Sequence, residues 1–250
     1  MPARPTWRGY LKISLVNIPI KVFPATDTGA TLSFNQLHSE CQTRIQQKRW
    51  CPHCACEVAK GELVKGFEFE KGRSVVLDDE DIGKVRVEST RIITLEKFAD
   101  DASIDPIYLE KPYYLAPDGT VAKDAFAVIR EGMQGKVGIG KVALYGREYL
   151  IKVQPRERGL VMYTLCHANE IRSMDGIEEL ADVPATVKAD EVKLARQVIG
   201  TFEGGLDFEA YRDEYQEGLR QIIDAKIAGR DVVTPEPEAP PKVVNLMEAV

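Results

Sequence analysis

Four of the five cysteines lie within sixteen residues of one another, close to a histidine, with the spacing of zinc ligands. His38 and Cys41 are separated by two residues, and so are Cys51 and Cys54. Zinc in a structural site takes four nitrogen or sulfur donors in a tetrahedron, and a two-residue gap lets one tight turn present two of them. We therefore predict one structural zinc ion per chain, held by these four side chains, with Cys56 as the main rival for the fourth position.

Other chemistry is open to the same residues. The cysteines could be reduced structural thiols, and His53 is a weaker rival ligand. A redox role for the pair at residues 51 and 54 fits less well. A thioredoxin-type motif begins a helix within a βαβ unit, and that context is missing around this pair.

Positive residues gather around the same segment. The first 77 residues contain eleven lysines and arginines against six acidic residues, whereas the whole chain has a net charge of −6. This asymmetry indicates one basic functional surface. Chance clustering of charged residues on a solvated surface is the alternative explanation. Cations on a metal-pinned loop can follow a phosphate backbone without reading bases. The predicted DNA contacts are Arg44, Lys48, Arg49, Lys60, Lys65, Lys71 and Arg73, against which stand Glu57, Glu62, Glu68 and Glu70.

The elements that must position these residues are mainly β-strands, with added helices. Alternating apolar residues predict extended chain over 10–23 and a hairpin over 66–77, whose turn is Lys71-Gly72. Residues 78–81 predict an acidic turn or helix start. Helical spacing is found over 123–133, and strands are predicted at 91–95, 106–115, 137–145, 148–153 and 160–165. Three consecutive strands in a meander predict an antiparallel sheet or barrel.

Three parts follow from this pattern. We predict a β core over residues 1–185, a small helical unit over 186–230, and a Pro-rich tail over 231–250. The tail ends in a short apolar motif that is too small to fold alone: Val243, Val244, Leu246 and Met247.

The sequence contains no pattern typical of an enzyme. Gly138-Ile-Gly140 is a lone glycine pair within a strand, and there is no phosphate-binding glycine loop or nucleophile elbow. No apolar run approaches the roughly 20 residues that span a bilayer. We find no targeting segment and expect a cytoplasmic protein. A zinc-containing scaffold that binds proteins rather than DNA is the alternative function.

Several segments together resemble bacterial Ku, the DNA end-binding family of non-homologous end joining. The similar segments are residues 7–22, 37–38, 63–73, 75–81, 104–108, 170–173 and 211–215. They occur in order along nearly the whole chain.

The resemblance implies a β-barrel that dimerises into a ring, with residues of about 38–77 forming an arch over DNA. It implies that duplex DNA ends thread through the ring and that ligase D is recruited for double-strand break repair at the bacterial nucleoid, without catalysis by this chain. The predicted ligase-binding surface is then formed by the C-terminal helices and the tail residues Val243, Val244, Leu246 and Met247. The alternative is that the helices pack on the core or on a partner subunit and that the tail is disordered. Some family members lack the cysteines, so zinc would stiffen the arch as an accessory. Many carry a lysine-rich tail, which this sequence lacks up to Val250.

Overall fold

The computed structural model describes residues 3–27, 29, 31–85, 91–144 and 146–229. It separates into two compact units. The first consists of Met1–Thr28 and Asn35–Val183, and the second of Gly29–Phe34 and Pro184–Val250. Each unit is described by itself.

The described chain contains eleven strands and five α-helices, with short 3-10 turns between some of them. The strands are β1 Trp7–Ile13, β2 Val16–Pro24, β3 Trp50–Cys51, β4 Cys56–Glu57, β5 Lys65–Glu70, β6 Arg73–Leu77, β7 Ile92–Asp100, β8 Leu109–Pro117, β9 Lys136–Leu144, β10 Arg147–Arg156 and β11 Gly159–Leu165. The helices are α1 Asp79–Val85, α2 Val121–Gly132, α3 Glu178–Ala181, α4 Ala189–Gly200 and α5 Glu214–Ile227.

Seven strands of the first unit form a closed barrel in the order β1-β2-β8-β11-β10-β9-β7. All neighbouring pairs are antiparallel except β1 and β7, which run parallel and close the ring. Closure leaves no free sheet edge. The predicted fold class, mainly β with added helices, is confirmed, and the predicted antiparallel sheet or barrel is a barrel.

Alternate residues of the barrel strands point inward and fill it. Fully buried side chains include Leu11, Ile20, Ile93, Ile151 and Met162. Helix α2 packs on β2, β8 and β10 and contributes Phe126 and Ala122 to the same core. Burial on this scale supplies the apolar free energy that holds the barrel together.

The glycine pair in β9 has a packing role. A Cβ atom on Gly140 would lie 1.9 Å from the Thr94 carbonyl oxygen and 2.9 Å from the Leu95 Cα atom. Only glycine therefore lets β9 approach β7 this closely, beside the bulge between Leu95 and Lys97. The sequence alone predicted no role for this pair.

The prediction of one extended stretch over residues 10–23 is wrong in detail. The chain forms two strands, β1 and β2, joined by a turn at Ser14 and Leu15, with Ser14 at φ 55°. Pro19 lies inside β2 without breaking it, and its carbonyl oxygen accepts a hydrogen bond from the Asp118 amide at 2.9 Å.

Residues 35–85, which we call the arm, connect β2 to β7 outside the barrel. The arm contains a single β-bridge between Leu37 and Arg44, the two-stranded β3-β4 ladder, the β5-β6 hairpin and α1. The hairpin and its Lys71-Gly72 turn confirm the prediction for residues 66–77. None of residues 35–85, all of which the structure describes, is buried.

The second unit contains α4 and α5 and a short segment from near residue 30. The Leu32 amide donates to the Gln216 Oε1 atom at 3.0 Å and so ties that segment to α5. Neither helix has a buried residue. Phe202 and Phe208 are among the most exposed side chains of the second unit. Among the described residues, no helix is long and apolar enough to cross a membrane.

Candidate nucleic-acid interface

The first predicted ligand pair sits in a tight turn at the start of the arm. The His38 amide donates to the Thr43 carbonyl at 2.9 Å, and the Gln42 amide donates to the His38 carbonyl at 2.8 Å. This turn brings His38 Nδ1 to 3.2 Å from the Cys41 sulfur. The Thr43 hydroxyl, followed by the Thr43 amide and His38, lowers the pKa of Cys41 to about 7.

The second pair lies in the turn between β3 and β4. Cys51 ends β3, Cys56 opens β4 directly opposite, and residues 52–55 turn between them. The pKa of Cys51 is lowered, chiefly by a hydrogen bond from the Cys54 amide and next by the Cys54 thiol. Each two-residue gap therefore does bring its two donors together.

One nitrogen and three sulfur donors suit zinc chemically. Across the described residues, however, no group of three or more potential ligands is close enough to hold one metal ion. The structure thus forms the two pairs separately, His38 with Cys41 and Cys51 with Cys54. All five cysteines are unbridged, and Cys166 lies apart from the cluster in sequence, just after β11.

The seven predicted DNA-contacting cations are all exposed, but they divide into two groups. Lys48 pairs with Glu57 at 2.6 Å, Lys65 with Asp79 at 3.8 Å, and Arg73 with Glu70 at 2.8 Å. No carboxylate partner within the described chain is found for the other four, which are Arg44, Arg49, Lys60 and Lys71. These four residues therefore carry the uncompensated positive charge of the arm.

Negative charge is concentrated at the far end of the arm. Residues 78–81 are all acidic, and α1 begins among them. An open cleft of about 870 Å³ lies where α1 faces the β9-β10 turn, and its lining mixes Lys65 and Arg147 with Asp79 and Glu148. The cleft therefore contains charges of both signs. The four uncompensated cations of the arm all precede residue 78 and do not line the cleft.

The arm also exposes an apolar face that the sequence did not reveal. In the β5-β6 hairpin Phe67 lies opposite Val75, and Lys65 lies opposite Leu77. Directly opposed and alternate residues share a face, so Phe67, Val75 and Leu77 lie together. Phe67 is 63% exposed. Alternation with Glu68 and Glu70 predicted which residues share a face, but not that this face is uncovered.

Four cations on strands β9 and β10 differ in how far their charge is compensated. Lys152 is only 5% exposed and contacts Asp101 at 2.5 Å, so it cannot offer its charge to a phosphate. Lys136 pairs with Asp100 and Lys141 with Glu148. Arg147 alone of the four has no ion-pair partner among the described residues.

The predicted partner-binding residues of the tail, Val243, Val244, Leu246 and Met247, lie outside the described residues.

Comparison with known proteins gives one consistent result. The sequence profile of the Ku70/Ku80 beta-barrel domain matches residues 12–194. A protein of Acidobacterium capsulatum called "Non-homologous end joining protein Ku" is 37% identical over 99% of this chain and 83% of its own length. Proteins of the same name from Archaeoglobus fulgidus and Heliobacterium modesticaldum are 37% and 36% identical, over 93% and 100% of this chain and 92% and 91% of their own lengths. The profile match over residues 12–194, together with relatives of 36–37% identity over nearly their whole length, shows that this barrel-forming chain belongs to the Ku family.

Proposed function

We propose that this chain binds the ends of double-stranded DNA without reading base sequence and serves in non-homologous end joining. The observation that carries the proposal is the exposed arm with four uncompensated cations on a barrel of the Ku family. The names of its relatives point to the same process. Holding an end requires no catalytic residue, since backbone cations alone give affinity for any sequence.

A ring-shaped homodimer is the form in which we propose that it acts. An isolated two-stranded hairpin is marginally stable in water, and the arm hairpin leaves Phe67, Val75 and Leu77 uncovered. A second copy that covers this face would both stabilise the arm and complete an opening for DNA. An encircling protein leaves linear DNA mainly through its end, which explains end preference without base contacts.

A competition between linear and covalently closed circular DNA of the same sequence tests this function. We expect stable gel-shift complexes with linear DNA that circles do not compete away, with an affinity that falls steeply as salt increases. Equal and easily competed binding to circles would contradict threading. Absence of binding to both would favour the protein-binding scaffold, which the exposed apolar hairpin face also supports.

We also propose that the arm binds one zinc ion through His38, Cys41, Cys51 and Cys54. The donor chemistry supports this, as does the way that each turn already pairs two donors. The ion would join the two turns and so limit the motion of the cation-bearing segment between them. Metal analysis of the purified protein should find about one zinc per chain. The Cys51→Ser variant should lose it, whereas Cys166→Ser should keep it.

Recruitment of ligase D is the proposed role of the second unit and the tail. Phe202, Phe208 and Tyr211 are exposed there, as large apolar side chains at protein contacts are before binding. Replacing Phe202 and Phe208 with serine, or Leu246 with serine in the tail, should reduce stimulation of the ligase while end binding is retained. If end binding is lost as well, these residues support the fold and do not dock the ligase.

A further inference from the structure

Trp50 is the most unusual exposed side chain of the arm. The chain has two tryptophans. Trp7 packs partly buried against the barrel core, whereas Trp50 is 61% exposed. Indole is large and apolar, so leaving it in water in a DNA-binding arm calls for a partner that covers it.

The backbone around Trp50 is fixed by hydrogen bonds. Trp50 lies opposite Glu57, and Cys51 lies opposite Cys56. One step outside this ladder, the Val58 amide donates to the Arg49 carbonyl at 2.9 Å. The indole is therefore carried by a short hairpin and not by a loose loop, which lowers the entropy cost of using it as a binding surface.

The charges beside Trp50 favour an anionic partner. Glu57 shares a face with Trp50 because directly opposed residues of a ladder point the same way. Lys48 neutralises that carboxylate through its 2.6 Å ion pair. Arg49, next to Trp50 in sequence, has no ion-pair partner among the described residues, and the same is true of Arg44.

We propose that Trp50 stacks on an unpaired base at the DNA end. This inference rests on the proposed end-binding function and names the part of DNA that the arm recognises. An aromatic side chain among cations is the usual means of holding single-stranded nucleic acid, since every base has a face on which it can stack. Within a duplex those faces are covered by neighbouring base pairs. Only a single-stranded overhang or a frayed terminal pair offers one.

The consequence is a preference among ends. Arg49 and Arg44 would hold phosphates of either kind of end, whereas Trp50 would add affinity only where a base is free. The chain should thus bind ends with overhangs more tightly than blunt ends, with no preference for the identity of the stacked base.

The test compares the full-length chain and its variants on two duplexes of equal length, one blunt and one with a short single-stranded overhang. Trp50→Ala should lose about tenfold in affinity for the overhang duplex, in line with one base stacked on an aromatic ring, and less than about twofold for the blunt duplex. Trp50→Phe should retain most of the preference, because a phenyl ring still stacks. Phe34→Ala, which removes a 66% exposed aromatic outside the arm, is the matched control and should change neither affinity.

Fluorescence gives an independent readout. In a Trp7→Phe variant all tryptophan emission comes from Trp50, and stacking should quench it on addition of the overhang duplex more than on addition of the blunt one. Equal affinity of Trp50→Ala and the unsubstituted chain for overhangs would overturn the inference while leaving end binding intact. An equal loss on both duplexes would overturn it as well, and so would dissociation of the Trp50→Ala dimer, which would assign the indole to a contact between copies. Failure of the unsubstituted chain to bind either duplex would instead overturn the proposed function itself.

Discussion

The barrel and the arm belong to the same unit of the chain but are stabilised in opposite ways. The barrel buries Leu11, Ile20 and Ile151 completely and closes on itself. The arm, over residues 35–85, buries nothing, although it carries Phe67, Phe69 and Trp50. The barrel is thus complete in one chain. The arm leaves these side chains exposed, and we propose that a metal ion, DNA or a second copy orders it.

The largest expected difference between the two regions concerns strand glycines. Gly140→Val should destabilise the barrel by more than about 4 kcal/mol, because its Cβ would meet backbone atoms of Thr94 and Leu95 that cannot rotate away. Gly66→Val in β5 is the matched change, since a Cβ there would meet only Ser74 and Val75 at 3.6 and 3.9 Å. Urea unfolding followed by circular dichroism should show a loss for the first and almost none for the second. Similar losses would mean that the arm is packed as tightly as the barrel.

Two ion pairs of nearly equal length provide a second comparison. Lys152 and Asp101 lie 2.5 Å apart with the lysine buried, while Lys48 and Glu57 lie 2.6 Å apart and exposed. Asp101→Ala should cost about 2 kcal/mol of unfolding free energy, because it leaves a buried ammonium unpaired. Glu57→Ala should cost less than about 0.5 kcal/mol.

The control for this pair is Lys152→Met, which removes the buried charge and keeps much of the side-chain volume. It should be far milder than Asp101→Ala. If it is equally destabilising, the lysine chain contributes through its packing and its contact with the Tyr163 ring.

Metal removal should separate the two regions functionally. With a chelator that removes the proposed zinc ion, we expect the thermal unfolding of the barrel to be unchanged. The amides of the β3-β4 ladder, and that of Val58 just beyond it, should lose hydrogen-exchange protection. Affinity for DNA ends should fall by at least about tenfold, since ordering each freed backbone residue costs about 1–2 kcal/mol. An unchanged affinity would leave zinc without a role in DNA binding.

The smallest expected effect distinguishes free cations from paired ones within the arm. Arg49→Ala should weaken end binding about threefold and reduce the salt-dependence slope by about 0.9, the value for one phosphate contact. Lys48→Ala should change the slope less, because Lys48 is already compensated by Glu57. Measuring affinity across a salt series for both variants checks this, and identical slopes would mean that DNA displaces the glutamate.

Local features of this protein could be predicted from the sequence. The β5-β6 hairpin follows from alternating Phe67 and Phe69 and from the Lys71-Gly72 turn. The pairing of His38 with Cys41 follows from a two-residue gap. Both depend on backbone geometry within a few residues, which the order of side chains alone specifies.

Other features were decided only by the tertiary structure. The parallel contact of β1 with β7 closes the barrel across about eighty residues of intervening chain, and Gly140 is required by a backbone that approaches from another strand. In sequence, Lys152 cannot be told apart from the exposed Lys141, yet its position in the barrel wall buries it against Asp101. Burial, charge compensation and the exposure of Trp50 depend on what lies across space from a residue. The sequence therefore determined which side chains share a turn or a face, and the fold determined which of them remain free to meet DNA.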